Sequence, residues 1–431
     1  MSVPRFQERQ LRCVWAAFFI FISGGMKMSQ NAMKLLANSE SFHSAWFYLA
    51  MVGSLLGPLF GTCVPYKYSY MISSAFVIFG GIISITNIVT SDCLDGIAFG
   101  MTMVATIAAG AENLKACYRG RVLSVEVIGV SIGMVIYCVV YPFYAEENDI
   151  LWFKLFGYIS IGCGLAGLIC SFYANNSPIH YIMNKAPTRA IHAIQKMYKE
   201  KRTRNPSQKV LAKFSELDKY VRHETSTFGL VPFGFDLLAG LKIGLIRILV
   251  AIVTSSSFIV FFDAYSRNHK DFAIATFFLG SARLFGALFF VFLIDWIGRK
   301  KIAMASFFGL GISIIVLGVL FGSRDELMAV MVIPVVAQFF TGLGEGVSTV
   351  YMSEAFSLKG KTVMICILVD LECAALIVLN EYKYFNRITF CILGVSCLTA
   401  VALIFVFLPE TKKTSLTEAR KRFSSVFCLK F

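Results

Sequence analysis

Charge is scarce in this chain: Asp, Glu, Lys and Arg together make up 15% of its 431 residues, against roughly a quarter in an ordinary soluble domain. So thin a supply excludes a water-soluble globular protein. No Gly-x4-Gly-Lys-Ser/Thr run is present, which removes the phosphate-cradling loop of an ATP-driven pump. The histidines, at 43, 180, 192, 223 and 269, have no nucleophile or second ligand at useful spacing, so an enzyme reading has nothing to rest on. The 12 cysteines are scattered singly without a C-x-x-C pair or a Cys/His cluster. They read as small hydrophobes in helices, and neither a metal nor a cofactor is expected.

What is present is apolar. Hydrophobic residues make up 57% of the chain and mean hydropathy is +0.70, which marks a membrane protein. A spanning helix takes about 20 mostly apolar residues. Such segments fall near 11–36, 44–64, 69–90, 94–114, 122–143 and 151–174, then near 241–263, 272–294, 301–322, 329–352, 363–382 and 388–408. The fold expected is an all-α membrane protein of about twelve transmembrane helices in two six-helix halves. An N-terminal half covers 1–174, a linker with short amphipathic helices 175–240, a C-terminal half 241–408, and a tail 409–431. The first apolar run lacks a small-residue cleavage site behind it and reads as helix one rather than a removed signal.

Most of the 40 Lys and Arg lie in segments that share a side with the linker. The positive-inside bias therefore puts the linker and both termini in the cytosol, and the plasma membrane is the expected location. The net charge of +14 reports topology, not a nucleic-acid partner, since no compact basic domain with interleaved aromatics receives it. The partners expected are the lipid bilayer and a small-molecule solute.

The charges that remain gather in short motifs. "IDWIGRKK" (294–301) puts Asp295 at a helix end, Gly298 in a turn, and Arg299 and Lys300 just beyond. "FLPETKKTSLTEA" (407–419) carries Glu410, and "NNSPIHYIMNK" (175–185) opens the linker. Glu112 precedes Arg119-Gly120 by the same interval that separates Glu354 from Lys361. Together, at matching places in both halves, these runs resemble the D-x-x-G-R-[RK], P-E-T-K and P-E-S-P-R signatures of the sugar porter family of the major facilitator superfamily. The entry into helix two, "NSESFHSAWFYLAMVGSLLGPLFG", is similar to that of insect trehalose or hexose transporter-like members. The resemblance implies a major facilitator fold and a hexose or disaccharide carried by alternating access. It also implies that Glu112, Arg119, Asp295, Gly298, Arg299, Lys300, Glu354, Lys361 and Glu410 form a cytosolic gate network.

Elsewhere the chain departs from that family. The loop between helices two and three reads "GTCVPYKYSY", with Pro65, Tyr68 and Ser69 where an acid, a glycine and a base belong. Val127 stands where the family carries a sugar-contacting Gln, Arg283 where it carries an Asn, and Glu372 near another Asn. Amides suit sugars because one side chain both donates and accepts. Here Ser255, Ser257, Gln338 and Asn380 are left to supply such bonds.

Charge has instead entered the apolar runs, at Lys27, Glu126, Arg247, Asp263, Arg283, Glu345, Asp370 and Glu372. Each costs about 2.5–3.5 kcal/mol at a helix centre, so these groups are expected to face a wet cavity or one another, with a place at a helix end as the alternative for Asp263 and Arg247. Arg283 would pair with Glu345 or Glu372, and Lys27 would be either a cavity cation or a partner to a neighbouring acid. No carboxylate matches the helix-one acid of proton-coupled members, so facilitated diffusion is the expectation. Two alternatives stand beside it: a carrier of an anionic or modified solute, and a transport-inactive sensor or scaffold.

Overall fold

The computed structural model describes residues 14–36, 44–86, 88–114, 118–144, 149–198, 206–226, 229–267, 269–321, 326–381 and 386–425, with Arg12 and Cys428. In lipid an apolar segment has no water to bond its backbone, so it closes its hydrogen bonds internally as a helix. The first part of the chain forms α1 (Trp15–Leu36), α2 (Ala45–Cys63), α3 (Tyr66–Ile83), α4 (Ile88–Asn113), a short α5 (Arg119–Leu123), α6 (Val125–Tyr144) and α7 (Asp149–Tyr173). Three polar helices follow, α8 (Pro178–Met183), α9 (Pro187–Met197) and α10 (Gln208–Ser226). The chain then continues as α11 (Leu230–Arg267), α12 (His269–Leu293), α13 (Arg299–Leu320), α14 (Glu326–Ala355), α15 (Lys361–Glu381), α16 (Arg387–Phe407) and α17 (Leu416–Ser424).

Nine helices among the described residues are long and apolar enough to cross a membrane, and no strand occurs among those residues. Helix α11 begins at Leu230, inside the stretch read from sequence as linker, because "LVPFGFDLLAG" is itself apolar enough to extend the helix. Local chemistry sets the other starts. Ser177 caps α8, with Pro178 in the first turn where its missing N–H costs nothing. Asn386 caps α16 by accepting from the Thr389 N–H at 2.8 Å, and Ser415 caps α17 in the same way.

The packing of the first set of long helices (α1–α4, α6, α7) recurs in the second (α11–α16). Helix α2 lies along α4 as α12 lies along α14, and α3 along α7 as α13 lies along α16. Likewise α1 pairs with α6 as α11 pairs with α15. Between the sets, α6 meets α12 and α15 meets α2, which is the contact pattern of two units related by a twofold axis running between them. The polar helices sit at one end of the bundle, hereafter the linker face. Ile179, Val221 and Leu358 form a small apolar cluster there, tying α8 and α10 to the turn after α14.

Helices α12 and α14 approach so closely that a Cβ on Gly286 would lie 2.0 Å from the Phe339 carbonyl oxygen. A Cβ on Gly342 would lie 2.2 Å from that of Arg283. This contact lets side chains of the two helices meet in the middle of the second set. Gly286→Ala should lower the apparent melting temperature in detergent, by an overpacking cost of about 1–3 kcal/mol. Gly162→Ala, where no atom lies within 4 Å of the added methyl, should leave it unchanged or slightly raised.

Candidate functional site: buried charge in two layers

The first layer lies at the linker face. Glu354, in the last turn of α14, is buried, and its Oε1 accepts from Arg119 Nη1 and from Arg299 Nη2, each at 3.1 Å. Arg119 opens α5 in the first part of the chain and Arg299 opens α13 in the second, so the Arg119 bond joins the two sets. Arg121 adds a second crossing pair, 3.2 Å from Asp295. Arg121 is half exposed, so this pair is the weaker of the two. Burial raises the Asp295 carboxyl above its ordinary range, against the pull of Arg299 and Arg121.

The turn that aims these groups depends on Gly298. Its φ is 111°, and a Cβ there would lie 2.4 Å from Glu410 Oε2. Glu410 occupies that space because its carboxylate accepts the backbone N–H groups of Arg299 and Lys300, each at 3.1 Å. These are unpaired donors at the positive end of α13, where a carboxylate is favoured.

The gate network expected from sequence therefore divides. Arg119, Arg299, Glu354 and Asp295 meet, while Glu410 serves as a helix cap. Lys300 turns away: its Nζ donates to the Cys428 carbonyl at 3.0 Å and lies 5.2 Å from the Phe405 ring centre. Lys361 is buried and its Nζ has no hydrogen-bond partner among the described residues; Glu112, Glu224 and Asp236 act on it through their charge. Glu112 instead accepts from the Tyr66 hydroxyl at 2.9 Å. Tyr66 directly follows Pro65 in the altered loop, so a phenol hydroxyl meets Glu112 beside the positions where the acid and base are missing. Sequence reasoning missed Tyr66 and Arg121; the latter lies two residues past Arg119 on a five-residue helix.

The second layer lies deeper. Nine residues of helix separate Glu345 from Glu354, about 13 Å along α14. Arg247 on α11 donates to Glu372 of α15 at 2.5 Å and to Glu126 of α6 at 3.2 Å. It also donates to the hydroxyls of Ser348 and Thr349, each at 3.2 Å. Thr349 in turn donates to Glu126 at 2.6 Å. Both bonds to Glu126 join the two sets, as does the one from the Ser54 hydroxyl to Asp370. Arg283 pairs with Glu345 at 2.5 Å, so of the two partners anticipated for it Glu345 is the one taken and Glu372 goes to Arg247.

The amide and hydroxyl candidates are largely engaged with one another. Gln338 donates to Ser257 at 2.6 Å and to the Thr254 carbonyl at 3.2 Å, and accepts from Arg283 at 3.3 Å. Val127 is fully buried. Ser255 lines a small space with Met28, Phe47 and Phe258. The side chains of Asn380 and Asp263 fall outside the described residues. Lys27 lies apart from this layer. It reaches Asp92 and Ser91, both at 3.0 Å, with Asp95 at 3.9 Å, which decides for the paired reading. The two acids of "SDCLD" sit three apart on one face of α4, a signal that the sequence carried and that was passed over.

The sequence profile described as Sugar (and other) transporter matches residues 18–423. The chain belongs to this family. No curated protein sequence matches the transporter. Among solved structures it is similar to the proton:xylose symporter XylE bound to 6-bromo-6-deoxy-D-glucose, with a TM-score of 0.79 at 17% identity over 96% of this chain and 98% of that one. The inward open conformation of the xylose transporter XylE from E. coli gives 0.63 at 18% identity, over 95% and 99%. The human organic anion transporter MFSD10 gives 0.62 at 11%, over 93% and 100%. At these identities the likeness concerns the fold, which is that of the major facilitator superfamily.

Removing Glu354's charge leaves two buried guanidinium groups facing each other, a loss of about 3–5 kcal/mol for a buried pair. Glu354→Gln should therefore speed amide hydrogen exchange in peptides covering 119–124 and 350–358 by at least about tenfold. Peptides from α3 and α7 should exchange as in the unaltered transporter.

Proposed function

We propose that this transporter carries a hexose or disaccharide by facilitated diffusion, with the two sets of helices rocking as halves about the deeper charged layer. The observation that carries the reading is the arrangement of polar contacts between the sets. Arg119–Glu354 and Arg121–Asp295 close the linker face, and Glu126 bonds to Arg247 and Thr349 farther in. All of these join surfaces that must part when the linker face opens. That face is the cytosolic one in this reading, which rests on the distribution of Lys and Arg. The halves, linker and tail take the roles expected of 1–174, 175–240, 241–408 and 409–431, with the linker ending where α11 begins at Leu230, in the plasma membrane with cytosolic termini.

Two alternatives lose ground. An anionic solute needs a cation to spare, yet Arg247 and Arg283 are both held by carboxylates. A transport-inactive scaffold drew its support from the altered Pro65 loop and the lost sugar-contacting amides; the Tyr66–Glu112 bond supplies a contact in place of the one lost at the loop.

The test is uptake into liposomes. Labelled hexoses and disaccharides offered to the reconstituted transporter should equilibrate without accumulating, and should saturate. Absence of uptake of every sugar by a folded, inserted preparation would overturn the reading. Arg283→Asn strands Glu345 and should lower uptake by at least about tenfold. Adding Glu345→Gln to it should recover part of the loss, because the stranded charge goes with it.

A further inference from the structure

The deeper layer does not balance. Among the described residues, the basic partners of Glu126, Glu345 and Glu372 are Arg247 and Arg283, and all three carboxylates act electrostatically on Arg247. Three acids against two bases leave one carboxyl without a base of its own, and a negative charge in excess whenever all three are ionised, in a place shielded from water. The excess has an address. Glu126 spends both oxygens, one on Arg247 and one on Thr349. Glu345 and Glu372 each spend only Oε2 on an arginine, which leaves each an oxygen to offer.

Those two residues, with Arg247, Arg283, Ser348 and Met28, line a space of about 10 Å³, roughly what one water or one ammonium group requires. A second observation points to a ligand at the same place. Arg283 is 1% exposed, yet its Nε–H has no partner among the described residues. A buried donor of this kind costs about 1–3 kcal/mol until something accepts from it. Next door, sharing Met28 and Thr254, lies the space lined by Ser255, Ser29 and Phe47. The site thus offers carboxylate oxygens for a cation, an N–H for a neighbouring acceptor, and hydroxyls with an aromatic side chain beyond.

We propose that the central cavity is built for a polyhydroxylated solute bearing one ammonium group, such as an amino sugar. The ammonium donates to the open oxygens of Glu345 and Glu372, and an adjacent hydroxyl accepts from Arg283 Nε. The solute then neutralises the excess charge, so the loaded cavity closes more easily than the empty one. The ring needs more room than the closed cavity holds, and separation of the halves on the side away from the linker face supplies it. This rests on the transport reading above and names the class of solute that it favours.

Competition in liposomes tests it, with D-glucosamine, N-acetyl-D-glucosamine and D-glucose against labelled glucosamine uptake at a pH where the amine is protonated. Glucosamine should compete at a concentration at least about tenfold lower than either neutral sugar. An inside-negative membrane potential should speed its uptake, since a charge moves with it. Glu372→Gln and Glu345→Gln, each checked for folding by thermal melting, should shrink the preference to less than about threefold. Equal competition by the three sugars would overturn the proposal while leaving sugar transport standing. So would neutral-sugar uptake driven by an imposed proton gradient without preference for the amine, because the proton would then be the balancing charge. No movement of any of the sugars would overturn both readings together.

Discussion

The arrangement depends first on one carboxylate oxygen, Glu354 Oε1, held between two guanidinium groups, one from each set of helices. In water such a bond contributes little, because solvent screens it and holding the side chains costs entropy. At the linker face Glu354, Arg119 and Arg299 are buried, so each group depends on the others to offset its desolvation. The bond is therefore hard to lose piecemeal. A node of this kind favours two discrete arrangements, assembled or parted, over a continuum of partly opened ones. The neighbouring structure serves it: Glu410 caps α13 and fixes where Arg299 starts, and Gly298 allows the turn that Glu410 occupies.

The deeper layer obeys the same physics with a different outcome. Charges inside a bilayer are tolerated when they pair, and Arg247 and Arg283 each bond a carboxylate. Because Glu126 comes from the first set and Arg247 from the second, the layer also couples the sets. Opening at the linker face must separate both layers. The close contact of α12 and α14 through Gly286 and Gly342 lets Arg283 reach Glu345 and Gln338 within one half, so that this half moves as a unit.

The fold was largely legible in the sequence because its cause is local. Hydrophobic runs of spanning length become helices whatever packs around them, and the Ser177-Pro178 and Ser415 caps announce their own helices. The linker boundary was less so, since "LVPFGFDLLAG" is apolar enough to join α11 although it lies among polar residues. At the linker face, the meeting of Asp295, Arg299 and Glu354 was legible through recurring motifs. Tyr66 was not, because a tyrosine that bonds a carboxylate looks like any aromatic in a membrane helix. Lys300 and Lys361 illustrate the opposite failure. Their spacing matched a motif, yet spacing cannot say where a long side chain turns, and Lys300 found the Cys428 carbonyl. The partners of Lys27 and Arg247 lie 65 and 125 positions away, where only the packed structure brings them together.

The central claim is that Arg119 and Glu354 act as one unit holding the linker face closed. A double-mutant cycle tests it most directly. Spin labels at the linker-face ends of α4 and α14 would report the fraction of open molecules in nanodiscs for the unaltered transporter, Arg119→Ala, Glu354→Ala and the double variant. The account predicts that the double variant opens no further than the worse single one, a coupling of about 1–3 kcal/mol. Additive effects of the two substitutions, or an unchanged open fraction in all three, would contradict it.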